Sequence, residues 1–319
     1  MVLVFWLFLR KSDNRNFSFK VYILNNCKWR ITRNNISKSG APGNRTPLKT
    51  LQCSLINNTK MINKILNFNI KNYFWLLFAR KISRFFKIYF VPTNKKILPK
   101  NNHPLKNLDI FFNNQYKNFI KDNSNFNKDL YRGLIKNFSK NQRIKILDFG
   151  GENIDLYLFL KKKFSKIHIY VINQPKLNYH LQRFINKKKI NGVTVLSNTD
   201  KLKNSKLDFV YFGSSLQYIK NYDKILKIIL KKKIKYLYIS ATSYFKSKDF
   251  NDKIILKQVN LLPTELYCYC FNYHYIFSLF KCYGYTKISE KQNSYKKINF
   301  ANFSFKINYL NILFKRNKK

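Results

Sequence analysis

Three groups of residues in this 319-residue chain have the types and positions needed to hold a nucleotide-like ligand. The first is Asp148-Phe149-Gly150-Gly151, an acid and a glycine pair at the end of an apolar run that begins at Ile144. Glycines let a ligand approach backbone N–H groups closely, although glycine pairs also serve turn geometry alone. The other two groups are Asn173 and Gly213-Ser214-Ser215, which each follow a later apolar run. If all three runs are parallel strands, these residues share the edge at which such sheets bind ligands.

The elements that would position these residues alternate in the manner of a parallel sheet with helical crossovers. The predicted strands are Ile144 to Gly151, Ile167 to Asn173, Val193 to Leu196, Leu207 to Phe212 and Tyr236 to Ser240. The predicted helices are Leu156 to Lys163, Asn178 to Ile185, Tyr222 to Lys232 and the aromatic segment Tyr267 to Phe280. Two extended runs, Tyr285 to Ser289 and Ile298 to Ile307, predict a hairpin. The fold class is therefore α/β, a doubly wound, Rossmann-like sheet that is mostly parallel with an antiparallel C-terminal hairpin.

The segment from Ile144 to about Glu290 resembles the class I S-adenosylmethionine-dependent methyltransferases. More narrowly, it is similar to a bacterial family of methyltransferases found among surface-polysaccharide genes. Four motifs carry the resemblance, and Ser-Ser-Leu-Gln-Tyr-Ile is the most distinctive of them. They are Leu147 to Gly151, Val171 to Pro175, Ser214 to Ile219, and Gln258-Val259 leading to Leu266-Tyr267.

The resemblance implies that S-adenosylmethionine is the cofactor and that Asp148, Gly150 and Gly151 line its amino-acid and sugar parts. Two positions depart from the family pattern. Ile154 stands where a third glycine is usual, and Asn173 stands where the family has an acid that accepts hydrogen bonds from both ribose hydroxyls. An amide oxygen can accept one such bond without charge assistance, so these departures favour a weakened or degenerate cofactor site.

Position at the strand ends extends this predicted site. Asp200, after the third strand, could accept a hydrogen bond from the adenine amino group, and Gly213 and Ser214 would face the transferred methyl. Ser215, Gln217 and Tyr218 are the catalytic candidates, since methyl transfer chiefly needs an acceptor held close and aligned. The structural alternative is that Ser214 caps the following helix while Leu216 and Tyr218 pack under the sheet.

Charge and cysteine content argue against two other classes of site. The formal net charge is +48, with 51 Lys and only 11 Arg, and the composition is typical of an AT-rich genome. Neither an RNA-recognition signature nor zinc-finger spacing accompanies the charge, so nucleic acid is not a predicted partner. Five cysteines form no disulfide framework, which indicates a cytoplasmic protein, and their spacing fits no common metal site.

The N-terminal part divides into two predicted segments before the α/β domain, which is assigned to residues 141–310. Residues 1–60 hold five Arg against six Lys, unlike the rest of the chain, and are expected to be disordered or to precede a true start at Met61. Residues 61–140 are predicted as a helical segment and linker. Its basic, aromatic part, 61–92, could contact the inner face of a membrane peripherally or cover the cofactor. Residues 311–319 are predicted to be a basic tail.

The expected function is methyl transfer from S-adenosylmethionine to an oxygen or nitrogen acceptor, either a small molecule or a glycan or glycan precursor. The glycan acceptor follows from the family resemblance alone. Two alternatives stay open: a non-catalytic binding or scaffold protein of the same fold, and an RNA methyltransferase, which the basic charge would suit. The oligomeric state is not predicted.

Overall fold

The computed structural model describes residues 23–25, 28–30, 73–93, 95–99, 108, 113–114, 116, 138–151, 154–202, 206–247, 252–293, 299–300 and 306–317. Most of the predicted N-terminal extension and of the predicted linker lies outside these residues. The chain divides into two units, residues 1–53 and 54–319. In the first unit the described part is an antiparallel hairpin of β1 (Ile23–Asn25) and β2 (Lys28–Arg30).

The larger unit contains the remaining described elements, which follow in chain order. They are α1 (Tyr73–Phe86), β3 (Ile88–Pro92), β4 (Ile144–Phe149), α2 (Asp155–Lys161), β5 (Ile167–Ile172), α3 (Pro175–Lys187), β6 (Val193–Leu196), β7 (Phe209–Gly213), α4 (Tyr222–Lys231), β8 (Tyr236–Phe245), β9 (Lys253–Gln258), β10 (Leu266–Asn272), α5 (Tyr273–Cys282), β11 (Tyr285–Gln292), β12 (Asn299–Phe300) and β13 (Ile307–Arg316). Two short 3₁₀ helices, Thr199–Leu202 and Leu216–Tyr218, follow β6 and β7.

Five parallel strands form the centre of the sheet, in the order β6-β5-β4-β7-β8. β4 pairs with β5 on one side and with β7 on the other, so Ile146 lies opposite both Ile169 and Phe209. All five strands lie where the apolar runs predict them. The sequence prediction of a mostly parallel, doubly wound α/β sheet is confirmed.

The hydrophobic core lies on both faces of this sheet, because successive side chains of a strand point in opposite directions. Leu147 and Phe149 of β4 belong to one buried cluster, whereas Ile144 and Ile146 belong to the other. Helices α4 and α5 cover the first face, and α2 and α3 cover the second. A strand buried on both faces reads as a continuous apolar run, which is why these strands are visible in the sequence.

The antiparallel C-terminal hairpin that the sequence predicts is present, but its second strand is β13 rather than the predicted run from Ile298 to Ile307. Within that run, Asn299–Phe300 forms β12, which pairs with β3 instead. β13 pairs antiparallel with β8 and with β11, so that Ile312 lies opposite Ile239 on one side and Glu290 on the other. The strand runs from Ile307 to Arg316 and therefore includes six residues of the segment predicted as a basic tail. Ile312 and Phe314 are fully buried, so this part of the chain belongs to the core.

The prediction of one long helix from Tyr267 to Phe280 is wrong in its first half. That half is the strand β10, and the helix α5 begins only at Tyr273. The physical reason is a period of two: Tyr267, Tyr269 and Phe271 face one buried cluster, while the intervening Cys268 and Cys270 face another. A strand buried on both faces can be uniformly apolar, and its alternation of aromatic and cysteine side chains is then easily mistaken for a helical run.

A second group of strands extends the sheet beyond the end of β7. β8 outruns β7, whose pairing with it ends at Ser240, and β10 then pairs with Tyr244 and Phe245. β9, β3 and β12 follow in that order from β10. The helix predicted within 61–92 is α1, which leads into β3. Among the described helices, none has both the length and the apolar character needed to cross a bilayer.

Candidate functional site

The strand order of the sheet reverses at β4, and such a reversal opens a crevice at the carboxyl ends of the adjacent strands. The helices that follow β4 and β5 cover one face of the sheet, and the helix that follows β7 covers the other face. Three predicted groups, Gly150-Gly151, Asn173 and Gly213-Ser214-Ser215, therefore lie together at one edge. The predicted strands alone indicate that these three groups share one edge of the sheet.

The glycine pair is required by close approaches on both sides. Gly150 has φ +83°, and its N–H donates to the carbonyl oxygen of Ile172 at 2.7 Å, which ties the loop after β4 to the end of β5. A Cβ on Gly150 would overlap the Ser215 side chain, and a Cβ on Gly151 would overlap the Asp148 carboxylate. Only glycine fits at either position, so the backbone of this loop lies directly against the carboxylate and the β7 turn.

Asp148 is 4% exposed and lies at the middle strand's carboxyl end, beneath the glycine pair. Its charge affects the neighbouring strand: burial, and then the Asp148 carboxylate, raise the pKa of Tyr211 on β7. The Tyr211 ring stacks on Tyr238 at 6.0 Å between centroids. The crevice therefore has one buried carboxylate at its base and a phenol that stays protonated beside it.

Asn173 has a different set of contacts from the ribose-binding acid of the family it resembles. Its side-chain Nδ2 donates to the carbonyl oxygen of Gly151 at 2.8 Å, and its Oδ1 accepts from the N–H of Gln174 at 2.7 Å. Asn178 then donates to the carbonyl oxygens of Asn173 at 3.1 Å and of Leu196 at 2.9 Å. The side chain at 173 therefore ties the glycine loop to the start of α3, and a carboxylate there could not donate the first of these bonds.

The predicted adenine contact, Asp200, lies in the 3₁₀ helix that follows β6 and is exposed. Its N–H donates to Oδ1 of Asn198 at 3.1 Å. β6 is two strands from β4, so Asp200 lies at the same edge of the sheet as the glycine pair but toward its far end. The second departure, Ile154, is buried (3% exposed) just before α2 and packs in the core.

The turn after β7 brings the acceptor-side candidates next to the glycine loop. Ser214 adopts φ +57°, and its N–H donates to the carbonyl oxygen of Ser240 at 3.0 Å. The Ser215 hydroxyl donates a short hydrogen bond to the carbonyl oxygen of Phe149, which links the ends of β7 and β4 across the crevice. Ser214 is therefore the start of a tight turn, and the residue at the N-terminus of the following 3₁₀ helix is Ser215, whose side chain makes no capping bond. The capping part of the structural alternative is wrong, whereas its packing part is confirmed, because Leu216 is fully buried and Tyr218 packs against a buried cluster.

Gln217 and Tyr218 contact the added strands. Gln217 is fully buried; its Oε1 accepts from the N–H of Ser243 at 3.3 Å, and its Nε2 lies 3.5 Å from the hydroxyl of Tyr309. The Tyr218 hydroxyl donates to Oε1 of Gln258 on β9 at 2.9 Å. Both side chains thus hold the 3₁₀ helix against β8, β9 and β13.

Tyr309 is a residue of this cleft that sequence reasoning missed. Its hydroxyl lies 3.5 Å from Oγ of Ser214 and 3.5 Å from Nε2 of Gln217, and the residue is 7% exposed. It comes from β13, ninety-five positions after Ser214, so no local motif connects the two. The signal that could have placed Tyr309 in the sheet is the alternation of apolar and polar residues at the start of β13, just before its apolar run.

An amide cluster lies behind the same turn, where β13 is irregularly paired with β8 at Asn311. Asn311 Oδ1 accepts from the N–H of Ala241 at 2.8 Å, from the Ser240 hydroxyl at 3.1 Å and from Nδ2 of Asn293 at 2.8 Å. Ala241 has φ +48°, so a strained backbone is stabilised by these bonds. These bonds therefore fix the middle of β8, where its pairing with β7 ends.

Three cysteines, Cys268, Cys270 and Cys282, lie in the described part of the chain. Within the described part of the chain, no group of three or more His, Cys, Asp or Glu side chains could hold a metal ion. Cys268 and Cys270 are buried on β10, where burial raises the pKa of both thiols, and Cys282 is exposed on α5. The two buried thiols pack as apolar side chains.

Several solved structures are similar to this chain at low sequence identity. An S-adenosylmethionine-dependent methyltransferase from Clostridium acetobutylicum is 11% identical, with a TM-score of 0.43, and the match covers 66% of this chain and 100% of that one. The N-terminal domain of EvdMO1, crystallised with SAH and D-fucose, is 13% identical with a TM-score of 0.41 and covers 61% and 85%. The 1,6-didemethyltoxoflavin-N1-methyltransferase from Burkholderia thailandensis is 14% identical with a TM-score of 0.38 and covers 56% and 72%.

At these identities the likeness concerns the fold alone. No protein-family model matches the sequence, and no curated protein matches it. The fold assignment stands on the strand order of the chain itself: a parallel β6-β5-β4-β7-β8 sheet with β13 and β11 added antiparallel at one edge. The chain is a doubly wound α/β protein with a glycine-lined crevice at its topological switch point.

Proposed function

We propose that this protein is an S-adenosylmethionine-dependent methyltransferase that acts on an oxygen or nitrogen acceptor. The observation that carries the proposal is the crevice at β4, where two glycines, a buried carboxylate and the Ser214-Ser215 turn meet at a reversal of strand order. Such crevices bind nucleotide-like ligands because backbone N–H groups are accessible there. The antiparallel edge formed by β13 accords with the methyltransferase sheet that the sequence resembles.

The residues of the crevice fit the cofactor in one respect and depart in another. Gly150, Gly151 and Asp148 would hold its amino-acid and sugar parts, and Asp200 its adenine. Gly213 and Ser214 would lie nearest the methyl group. Asn173 would contribute by shaping the glycine loop, since its amide nitrogen is already engaged with Gly151. When bound, S-adenosylmethionine would supply a methyl group on a sulfonium: the acceptor atom would bond to the methyl carbon as the carbon–sulfur bond breaks, S-adenosylhomocysteine would leave, and the acceptor's proton would pass to water.

The chain's own task is then to orient the acceptor and exclude water. We assign this task to Ser215, Gln217 and Tyr218. Ser215 bridges the two strand ends, and Gln217 and Tyr218 set the wall formed by β8, β9 and β13. A glycan or glycan precursor, presented at the inner face of a membrane, is the proposed acceptor. Its support is the likeness of the sequence motifs to methyltransferases of surface-polysaccharide genes.

Calorimetry with S-adenosylhomocysteine tests the cofactor site directly. We expect saturable binding to the native chain and its loss in Gly150→Ala, because the added methyl group meets Ser215 and the position has a positive φ. Gly284→Ala is the matched control: Gly284 also has a positive φ, of +77°, but nothing lies within 4 Å of its added Cβ. Both variants carry the same backbone strain, so only the first should change the affinity.

Two results would contradict the proposal. The absence of binding by the native protein at millimolar ligand would favour the non-catalytic scaffold alternative. Equal binding by native protein and Gly150→Ala would mean that the ligand sits elsewhere. The acceptor is tested separately, by following transfer of a labelled methyl group to isolated glycan precursors, and RNA serves as the competing acceptor.

A further inference from the structure

The helix α1 presents aromatic side chains to solvent. Phe74 is 80% exposed and Phe85 is 66% exposed. The half-buried Phe78 lies between them on the same stripe, since residues four and seven positions apart share a helix face. We call Phe74, Phe78 and Phe85 the aromatic ridge. Surface helices normally turn polar side chains outward, so this ridge calls for an explanation.

The ridge is not the face by which α1 docks on the rest of the chain. The opposite face carries Ala79 and Ser83, which are 2% and 0% exposed. Ala79 belongs to a buried cluster with residues of β3 and of the turn after β9, and the Ser83 hydroxyl donates to the carbonyl oxygen of Ile88 at 2.5 Å. Nε of Arg84 adds a hydrogen bond to the carbonyl oxygen of Asn260 at 3.1 Å. The helix is therefore already anchored when the ridge faces outward.

Exposed apolar side chains are concentrated in the segment of the chain that contains α1. In the described part of the chain, four of the six large hydrophobic side chains that stand well exposed lie between residues 73 and 97, and the other two are isolated on other elements. The four are Tyr73, Phe74, Phe85 and Ile97, and the two are Tyr179 and Ile288. Single exposed apolar residues are ordinary, whereas a group marks an interaction surface.

The segment that carries the ridge has charges of one sign, while the Glu265 carboxylate from beyond β9 lies close enough to Lys95 for that lysine to help lower its pKa. No Asp or Glu occurs between Met61 and Asn107, and the stretch from 73 to 99 contains six basic residues. They are Arg80, Lys81, Arg84, Lys87, Lys95 and Lys96. Lys81 shares the stripe of the ridge. Long basic side chains can reach lipid phosphates while neighbouring aromatic rings lie at headgroup depth.

We propose that α1 binds the surface of an anionic lipid bilayer through the aromatic ridge and these basic residues. At 14 residues the helix is too short to span a bilayer, but a helix with this pattern lies in the interface plane. Lys and Arg side chains are attracted to an anionic surface, and the aromatic rings add insertion into the headgroup layer that charge alone does not give. RNA fits less well, since aromatic stacking of bases usually occurs in a groove and the ridge stands on a convex helix.

The position of α1 gives this contact a consequence for the cleft. Val259 belongs to the cluster beneath α1, and its neighbour Gln258 accepts the hydrogen bond from Tyr218. Two adjacent residues of the chain thus contact α1 and the proposed acceptor wall. If the proposed methyltransferase activity holds, the acceptor is one attached to a lipid or held at the bilayer surface. The membrane contact itself does not depend on that activity.

Sedimentation of the full chain with lipid vesicles tests the proposal. The vesicles are phosphatidylcholine with about a third phosphatidylglycerol, compared with phosphatidylcholine alone. We expect binding to the anionic vesicles, and a fall in affinity of at least about tenfold in the double variant Phe74→Ser, Phe85→Ser. The net charge of this variant equals that of the native chain, so any fall in its affinity for the vesicles measures the contribution of the two aromatic side chains. Thermal unfolding of each variant checks that these exposed substitutions leave the fold intact.

The matched control is the double variant Tyr179→Ser, Ile288→Ser, which removes exposed apolar side chains from α3 and β11 instead. We expect it to bind vesicles as the native chain does. Equal vesicle binding by the native chain and the Phe74→Ser, Phe85→Ser variant would overturn the proposal, because binding would then rest on general charge. Two other results would also overturn it. If the native chain dimerises without lipid and only this variant abolishes the dimer, the ridge binds a second copy of the chain. If the native chain binds RNA and only this variant abolishes that binding, the ridge binds RNA.

Discussion

Replacing Asn173 by Asp tests whether this side chain ties the glycine loop to β5, as the structure shows, or binds the ribose, as the family resemblance implies. The side chain is nearly unchanged in shape, and Oδ1 can still accept from the N–H of Gln174. In the native protein Nδ2 of Asn173 donates to the Gly151 carbonyl oxygen at 2.8 Å. In the variant a carboxylate oxygen takes the place of Nδ2, so an acceptor faces that carbonyl oxygen. The glycine loop also lies against the Asp148 carboxylate. The variant therefore loses a hydrogen bond and places a charge near an acceptor and near a second carboxylate.

The expected magnitude follows from the partial burial of this contact. Loss of a partner that leaves an acceptor unsatisfied costs about 1–3 kcal/mol, which corresponds to a fall in Tm of roughly 2–10 °C for a domain of this size. We expect faster amide hydrogen exchange in the loop at Gly150 and Gly151. We also expect weaker binding of S-adenosylhomocysteine, although an acid at this position would gain charge-assisted bonds to ribose if the loop stayed in place.

The control is Asn198→Asp, which makes the same change of charge at the same edge of the sheet. Asn198 is exposed, and its Oδ1 accepts from the N–H of Asp200, a bond that a carboxylate keeps. Its Tm should stay close to that of the native protein. The reasoning is refuted if Asn173→Asp leaves Tm and loop exchange unchanged and tightens ligand binding about tenfold, because position 173 would then meet the ribose as the family resemblance implies.

Two further substitutions test individual polar contacts, one in the proposed site and one on β11. Gln217→Leu should lower the free energy of unfolding by about 1–3 kcal/mol, because the buried N–H of Ser243 loses its acceptor. Urea titration measures this free energy. An unchanged value would show that the contact is dispensable. Glu290→Gln should lower Tm only above acidic pH. Burial opposes ionisation of Glu290, but hydrogen bonds from Lys287 and Tyr273 outweigh it and lower the pKa of the carboxyl. Its stabilisation, less than about 1 kcal/mol at this partly exposed site, is present above the unfolded pKa and is lost as pH falls through the lowered folded value. A Tm difference from the native protein that persists at low pH would contradict this.

Part of the candidate site could be predicted because its residues follow buried strands. The glycine pair, Asn173 and the Ser214-Ser215 turn each come directly after an apolar run, and parallel strands bring their carboxyl ends to one edge. Tyr309 could not be placed in this way. Its approach to Ser214 depends on β13 pairing with β8, and the register of that pairing is set by contacts distant in the chain.

The amino-acid sequence alone determined the parallel centre of the sheet, since strands buried on both faces are continuously apolar and their spacing leaves room only for crossover helices. It did not determine whether the aromatic segment from Tyr267 was strand or helix, because a fully buried element satisfies either pattern. That choice was made by the free edge of β8 beyond β7, which needed a partner for its backbone groups. Likewise, only tertiary structure assigned Asn173 to the glycine loop: an amide can donate or accept, and the nearest unpaired backbone group in three dimensions decides which.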